Sequence, residues 1–544
     1  MLVKPSFLSG AKVTNQLNLM PQPRSKAILK PTLFIMRSAI YQFLFLCCCI
    51  SPAFVSAQDP GDAFFAAWTV HEIRFQFSQP GYLDSLTANY TLDQYMRSNV
   101  TIDGVAYPQS GVKYKGNSSY NNGSSKKPFR IDLSEYSDGQ SHDGLKKLVL
   151  NNGFKDPTLL REKIMLDFLN DHGIAAPRCG FARLYVNNQY RGLYTVVEDV
   201  NKTFLEDRFG NKSGNLFKGD PKGTLVWKGA SQSLYTTDFE LKSNETANDW
   251  SDLIQFINVL NNTPNTQLPD SLAAYLNLNS WFDYWAAHNM FVNLDSYVGS
   301  GHNYFLYHNI DTDKFEWITW DVNEAFGNFQ MGISLANLKV LPVGYIPMPA
   351  NQRPMMSKLW TEQVFKQQFA DRYCALLEDF TNAKMDPHID SLADLIREAV
   401  YADPFKFFPN TQFEQNISQD LAGGGTPGVS TLAGLKPFIT SRHISLVQQL
   451  ITFGCSVSGT ENPVENLPNI VLFPNPAKND FYLQITGNEH ITYSLTDISG
   501  RQISTGNGTG TILVPIEKLP GGIYLIQITD IISGRSICQK VIAE

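Results

Sequence analysis

Cysteine is scarce in this chain: 544 residues include seven, three of them adjacent at positions 47–49. The others are too scattered for a zinc cluster, which needs closely spaced pairs of ligands: Cys179, Cys374, Cys455 and Cys538. A disulfide between Cys374 and Cys455 is conceivable in an exported chain. Spacing alone does not establish the pairing, and incidental thiols fit the sequence at least as well.

Charged residues are also few, at 17%, and no basic block follows the first forty positions. Together with a formal net charge of −7, this argues against a nucleic-acid partner. A hydrophobic content of 43% is typical of a globular protein, and the length allows more than one domain.

Long apolar runs are limited to one, Ile40 to Val55, which follows Arg37 and ends at a small-residue triplet before Gln58. This pattern predicts a signal region over 1–57, with translation starting at Met36. The run is too short for a confident bilayer span, so we expect no transmembrane segment in the mature chain. Acylation at the three adjacent cysteines is an alternative, but no small residue precedes them.

The next 400 residues mix strand and helix patterns. Alternation predicts a strand over Val70–Phe77, and helical spacing predicts a helix over Leu159–His172. Asn187-Asn188 predicts a hairpin between strands Phe181–Val186 and Gly192–Val197. Three further helices are predicted, at Asp249–Leu260, Ser280–Phe291 and Leu435–Ile451. The fold class expected for 62–455 is α+β, with a strand-rich half before a helix-rich half.

A polar linker is predicted over 456–468, and a small all-β sandwich over 469–544. The expected strands of this module are Phe481–Ile485, Ile491–Thr496, Gly510–Pro515, Gly522–Thr529 and Ser536–Ile542. The Gly-rich stretch Gly423–Gly434 contains no lysine, so a surface loop is a better interpretation than a phosphate cradle.

Four motifs of this tail occur in the order and spacing of a known export signal: Phe473-Pro-Asn-Pro476, Leu495-Thr-Asp-Ile-Ser-Gly-Arg501, Leu519-Pro-Gly-Gly-Ile-Tyr524 and Lys540-Val-Ile542. The tail resembles the type A sorting domain of the type IX secretion system of Bacteroidetes. The resemblance implies that the secretion machinery is a partner and that the chain is secreted or held at the outer-membrane surface. A carbohydrate- or matrix-binding β domain is the alternative on fold alone.

Asp295, Asn303 and Asp321 carry the strongest chemical signal, because each stands at the end of an apolar, aromatic segment. Carboxylate and carboxamide oxygens can hold Mg²⁺, and a second aspartate can orient a nucleophile. This arrangement predicts phosphoryl transfer. Capping and turn formation are the structural alternative for the same residues.

These residues, with several earlier stretches, resemble the CotH kinase family, which comprises atypical secreted or spore-coat protein kinases with a divergent kinase-like fold. The resemblance covers most of residues 65–450. Its most specific parts are Lys115-Gly-Asn-Ser-Ser119, Lys126-Lys-Pro-Phe-Arg130, Asp156-Pro-Thr-Leu-Leu-Arg-Glu162, Tyr190-Arg-Gly-Leu-Tyr194, Glu198, Asn293-Leu-Asp295, His302-Asn-Tyr304 and Trp320-Asp-Val-Asn-Glu-Ala-Phe-Gly327.

The resemblance implies that Asp295 is the catalytic aspartate and that Asn303 and Asp321 bind Mg²⁺, with Mn²⁺ as a substitute. Asn323 and Glu324 lie close enough in sequence to assist the metal.

For ATP, the expected contacts are Lys127 on the phosphates, paired with Glu162, and Glu198 near the adenine. Asn117 and Ser118 can donate to phosphate oxygens. Rival phosphate-binding residues are Lys126, Lys115 and Arg130, since strand register decides which side chain faces inward.

Signatures of ordinary protein kinases are missing: the chain has no G-x-G-x-x-G loop, no His-Arg-Asp and no Ala-Pro-Glu. Asp295 and Asn303 are eight positions apart, whereas the usual catalytic loop has about five. The expected function is transfer of the ATP γ-phosphoryl group to Ser or Thr of an exported protein. A non-catalytic adhesin or matrix protein and an AMP transferase are the alternatives.

Overall fold

The computed structural model describes residues 59–423, 431–455, 470–485, 490–498, 500–531 and 536–544. The predicted signal region at 1–57, with its start at Met36, lies outside the described residues, as do the predicted linker at 456–468 and most of the Gly-rich stretch. The remaining predictions of secondary structure fall within them.

Seven strands close into a barrel with the order β1-β2-β3-β4-β5-β7-β6, and β1 and β6 are the parallel pair. The sequences of these strands alternate between buried and more accessible residues. In β1, for example, Ile73 and Phe75 are buried and the residues between them are more accessible. The strands are β1 (Val70–Gln76), β2 (Met96–Ile102), β3 (Val105–Tyr114), β4 (Phe129–Asp132), β5 (Lys147–Asn151), β6 (Cys179–Val186) and β7 (Gln189–Glu198).

The predicted hairpin is confirmed between β6 and β7, where Asn187 and Asn188 have φ angles of 46° and 64°. Asparagine tolerates this left-handed conformation better than most residues, and two such residues in succession match the twist of the flanking strands. The helices of the first half are α1 (Asp62–Ala66), α2 (Tyr82–Tyr90), α3 (Arg161–Asp171) and α4 (Lys202–Phe209).

The second half is mainly helical and surrounds a four-stranded sheet of order β11-β10-β8-β9. Its strands are β8 (Leu216–Lys218), β9 (Glu240–Leu241), β10 (Tyr304–Asn309) and β11 (Lys314–Thr319), with a short pair β12 (Leu421–Ala422) and β13 (Thr431–Leu432) further on. Its helices are α5 (Ser251–Asn262), α6 (Leu268–Ala273), α7 (Leu278–Met290), α8 (Leu335–Lys339), α9 (Pro354–Ser357), α10 (Gln363–Leu377), α11 (Asn382–Ala402), α12 (Asn410–Ser418) and α13 (Leu435–Leu450).

Helix α7 is the centre of this half, because every residue from Trp281 to Met290 is buried. A disulfide joins Cys374 of α10 to Cys455 just beyond α13, which is the pairing that the sequence allowed. Cys179 is a buried free thiol. Within the described residues, none of the helices has both the length and the apolar character needed to cross a membrane.

The C-terminal module consists of two antiparallel sheets, of order β14-β15-β18 and β17-β16-β19-β20. The five predicted strands are present, and the sequence reading missed β14 and β17. The strands are β14 (Ile470–Phe473), β15 (Asp480–Ile485), β16 (Ile491–Asp497), β17 (Gln502–Gly508), β18 (Thr511–Pro515), β19 (Gly522–Asp530) and β20 (Ser536–Ala543). The mixed α+β architecture with an all-β tail is therefore confirmed.

A pH-dependent stability follows from His288 of α7, which is fully buried and stacks on Tyr284. Burial lowers the pKa of His288 from 6.5 to about 3. As the pH falls below 6.5, the unfolded chain binds a proton at His288 before the folded chain does. The free energy of unfolding should therefore decrease between pH 6.5 and about pH 3, where the folded chain also binds the proton.

We expect urea unfolding of the wild type to lose about 2 kcal/mol more between pH 7 and pH 5 than that of His288→Gln. His490→Gln, at an exposed position, is the matched control and should track the wild type. Equal losses in the wild type and His288→Gln would contradict the prediction.

Candidate active site

An open cleft, with about 420 Å³ of empty space when its mouth is included, contains residues from both halves of the domain at 62–455. Its lining comes from the loop after β3, the end of β5, the start of α3, β7 and the segment after β11. The lining residues are Lys115, Ser119, Asn151, Asn152, Gly153, Phe154, Asp156, Leu159, Glu162, Thr195, Asp321 and Asn323.

Lys115 enters the cleft because it follows Tyr114, whose ring lies in the barrel core, and successive strand residues face opposite sides. Its Nζ donates to Asn151 Oδ1 at 3.0 Å, and the amide nitrogen of Asn151 donates to both Glu162 oxygens at 3.0 and 2.9 Å. Asn151 thus bridges the lysine and the glutamate. Burial lowers the pKa of Lys115, while the nearby Asp321 and Glu162 carboxylates act in the opposite direction.

Glu162 is held in place by the start of helix α3. The Asp156 carboxylate accepts from the backbone N–H of Arg161 at 3.0 Å, a donor that the helix start leaves free, and from that of Thr158 in the preceding turn at 2.9 Å. The Arg161 guanidinium also contacts Asp156 and reaches Asn416 Oδ1 at 2.7 Å. Burial raises the pKa of Glu162 to about 7, and the Asp321 carboxylate adds to the rise.

Asn303 and Asp321 meet because they flank one hairpin. The register pairs Tyr304 of β10 with Thr319 of β11, so both residues lie at the open end of that hairpin. They have φ angles of +60° and +53°, a left-handed conformation that Asn and Asp tolerate well. Burial raises the pKa of Asp321, and the Lys115 ammonium opposes this effect.

Asp295 lies beside this pair, in the loop after α7. Its Oδ1 pairs with His302 Nε2 at 2.8 Å and accepts from Ser300 Oγ at 3.2 Å. The amide nitrogen of Asn303 donates to the Asp295 carbonyl at 2.8 Å. The Asp295 carboxylate also adds to the raised pKa of Asp321, which places the two charges in each other's field.

The loop that carries Asp295 is fixed by Arg353. This buried guanidinium donates to the carbonyls of Tyr297 at 3.0 Å and Gly299 at 2.5 Å. A Cβ on Gly301 would lie 2.7 Å from the Arg353 guanidinium carbon, so the loop and the arginine pack without space between them.

The donor set fits a hard cation bound together with phosphate oxygens. Asp321 supplies a carboxylate. Asn303 donates its hydrogen bond through the amide nitrogen, which leaves its side-chain oxygen, the atom that Mg²⁺ prefers, available for the metal. Glu324 is held by Lys155 at 2.6 Å, and its Oε2 has no hydrogen-bond partner within the described residues. In that part of the chain, no group of three or more His, Cys, Asp or Glu side chains could hold a metal.

Lys127, the lysine expected on the nucleotide phosphates, lies outside this cleft. Its Nζ donates to the Tyr120 carbonyl at 2.5 Å. Lys126 is buried against Asp403, and Arg130 pairs with Asp199. The register instead brings the remaining rival, Lys115, to Glu162.

Glu198, expected near the adenine, also lies outside the cleft. It is buried in an ion pair with Arg178, whose Nε donates to it at 3.0 Å. Asn117 and Ser118 are exposed on the loop after β3 and do not line the cleft, whereas Lys115 and Ser119 of the same loop do.

Asn151 and Asn152 are site residues that the sequence reading missed. Asn151 bridges Lys115 and Glu162, and Asn152 donates to the carbonyls of Ser119 at 3.0 Å and Lys126 at 2.6 Å. The signal was present as Leu150-Asn-Asn152, two polar residues directly after an apolar strand, which is the same pattern that identified Asp321.

Comparison with known proteins identifies two families along the chain. The family described as "CotH kinase protein" matches residues 112–420, and the family described as "Secretion system C-terminal sorting domain" matches residues 471–544. The chain is 27% identical over 267 residues to "Inner spore coat protein H" of Bacillus subtilis (strain 168), covering 48% of this chain and 71% of that protein. The sorting domain implies export and contact with the secretion machinery. The chain therefore belongs to the CotH kinase protein family and ends in a type IX secretion sorting domain.

Proposed function

We propose that this protein is a secreted or cell-surface kinase that transfers the γ-phosphoryl group of ATP to Ser or Thr of exported proteins. One observation carries the proposal: Lys115, bridged to Glu162, shares a single cleft with Asp321. A lysine, its glutamate partner and a metal-binding aspartate form the set on which a divergent kinase-like fold depends for phosphoryl transfer.

Each residue has a role that follows from its position. Lys115 binds nucleotide phosphate oxygens, and Glu162 with Asn151 keeps its ammonium directed into the cleft. Asn303 and Asp321 would hold Mg²⁺, which supplies neutralisation of the phosphate charge. Asp295 orients the acceptor hydroxyl and takes its proton, and His302 keeps that carboxylate in place through the 2.8 Å contact.

The reaction itself is tested with the mature chain from Gln58 onward and ATP labelled on either the γ- or the α-phosphate. Incorporation of γ-label alone supports the kinase. Incorporation of α-label would replace it with AMP transfer. A folded wild type that binds no nucleotide with Mg²⁺ or Mn²⁺ would leave a non-catalytic surface protein.

Lys115 and Lys127, which the sequence left as rival phosphate-binding residues, provide a test variant and its matched control. We expect Lys115→Met to lower label transfer at least about 100-fold, because it removes the cation that faces the phosphates. Lys127→Met removes the same charge outside the cleft and should stay within about 2-fold of the wild type, a surface-type change. Label transfer and melting temperature are measured on both variants. Loss of label transfer with Lys127→Met but not with Lys115→Met would contradict the assignment of Lys115 as the phosphate-binding lysine.

A further inference from the structure

Lys218 is a second lysine near the proposed catalytic residues, on the strand next to the one that Asn303 precedes. It ends strand β8, where the register pairs it with Phe305 of β10. The following residue binds the catalytic segment directly: Gly219 accepts from the backbone N–H of Asn303 at 3.1 Å and donates to the Tyr304 carbonyl at 2.9 Å.

The backbone that carries Lys218 has little freedom. A Cβ on Gly219 would lie 2.3 Å from the Tyr304 ring, so the end of β8 is packed closely against β10. Further along the same segment, the Pro221 carbonyl lies 3.2 Å from His302 Nδ1. Residues 218–221 therefore form a rigid edge next to His302 and Asn303, the neighbours of Asp295.

The ammonium group of Lys218 is partly exposed, with 21% of the side chain accessible, and it pairs with Asp220, which is itself 30% accessible. Such a surface pair contributes little energy, so it can be exchanged for a more highly charged partner at small cost. The charge of Lys218 also reaches the active-site groups, since it acts on the pKa values of both Asp321 and Lys115.

The charge balance of the site calls for such a group. Asp295, Asp321 and Glu162 bring carboxylates, and Lys115 is directed to the barrel side of the cleft by Asn151. Asp295 belongs to the helical half, in the loop after α7, so a phosphoryl group that moves toward it moves away from the barrel strand that anchors Lys115. Electrostatic stabilisation of the transferring group needs a cation on the side where it arrives.

We propose that Lys218 binds the γ-phosphoryl oxygens of ATP during transfer, in exchange for its contact with Asp220. The acceptor hydroxyl oxygen forms the new bond to phosphorus, and the bond from phosphorus to the ADP oxygen breaks with its electron pair leaving on ADP. The hydroxyl proton goes to Asp295, and Lys218 stays an ammonium ion throughout. This inference rests on the proposed kinase activity.

The test compares Lys218→Met with Lys222→Met in the mature chain, because Lys222 is an exposed lysine four positions further along the same segment. Calorimetry with Mg²⁺ measures binding of ADP and of the non-hydrolysable ATP analogue AMP-PNP, and label transfer gives kcat and KM for ATP. We expect Lys218→Met to weaken AMP-PNP at least about 10-fold while leaving ADP unchanged, since a charge-assisted contact to one phosphate is lost.

In transfer assays, kcat should fall about 100-fold for Lys218→Met, Lys218→Arg should recover part of the loss, and Lys222→Met should match the wild type. Equal weakening of ADP and AMP-PNP would assign Lys218 a structural role and overturn the proposal. If the wild type is active and Lys218→Met has the same nucleotide binding and kcat, the role proposed for Lys218 is overturned and the kinase proposal is not. A wild type that binds neither nucleotide would overturn the kinase proposal and this one with it.

Discussion

Replacing Asp321 by Asn should abolish phosphoryl transfer, with a loss of at least about 1,000-fold, and leave the fold intact. The substitution keeps the shape of the side chain and removes the negative charge that would hold Mg²⁺ against the nucleotide phosphates. Because burial raises the pKa of Asp321, its charge is unfavourable in the folded protein. Its removal should therefore leave the free energy of unfolding unchanged or raise it.

The measurement pairs label transfer with urea unfolding, since activity and stability are expected to move in different directions. Asp313→Asn is the matched control: this aspartate lies in the turn of the same hairpin, its side chain is 91% accessible, and both assays should give wild-type values. A variant that loses transfer and stability together would point to a structural role for Asp321 and against a metal site. Retained transfer would remove Asp321 from the proposed mechanism.

Local patterns predicted most of the main elements. The period-two pattern of β1, the helical spacing of α3 and the Asn187-Asn188 turn each contain their structural cause within a few residues. The grouping of Asn303 and Asp321 was also predictable, because a hairpin brings its two ends together. In each case the residues whose interaction determines the structure are close together in the sequence.

Which of the candidate lysines lines the cleft was not predictable by the same reasoning. Lys115, Lys126 and Lys127 stand in similar basic, strand-like stretches, and what separates them is tertiary contact. Lys126 is matched by Asp403, 277 positions away, and Lys115 by Asn151, 36 positions away. Sequence alone offers no register for such distant partners.

The same reasoning applies to Glu198, which was expected near the adenine and lies outside the cleft. An acidic residue at a strand end was read as a ligand contact, but Arg178, 20 positions earlier on the neighbouring side of the β6–β7 hairpin, neutralises it. A buried carboxylate with a paired arginine is satisfied by the fold and has no need of a ligand. Asp321 differs because the lysines whose charges act on its pKa are Lys115 and Lys218, which we propose bind phosphate oxygens.

The largest effect on stability should come from the ion pair between Lys126 and Asp403, which connects the barrel to the segment after α11. Both side chains are 1% exposed, and Asp403 Oδ2 accepts from Lys126 Nζ at 2.6 Å and from the backbone N–H of Leu193 at 3.0 Å. Lys126→Met would leave the Asp403 charge buried without its cation. We expect urea unfolding to show a loss of about 3–5 kcal/mol.

Adding Asp403→Asn to Lys126→Met should recover much of that loss, because the uncompensated charge is removed along with the lysine while the amide can still accept from Leu193. Lys436→Met is the matched control: Lys436 pairs with Asp390, whose side chain is 58% accessible, so about 1 kcal/mol or less is expected. A loss from Lys126→Met as small as that of the control, or a double variant less stable than Lys126→Met alone, would show that this pair does not hold the barrel to the helical half.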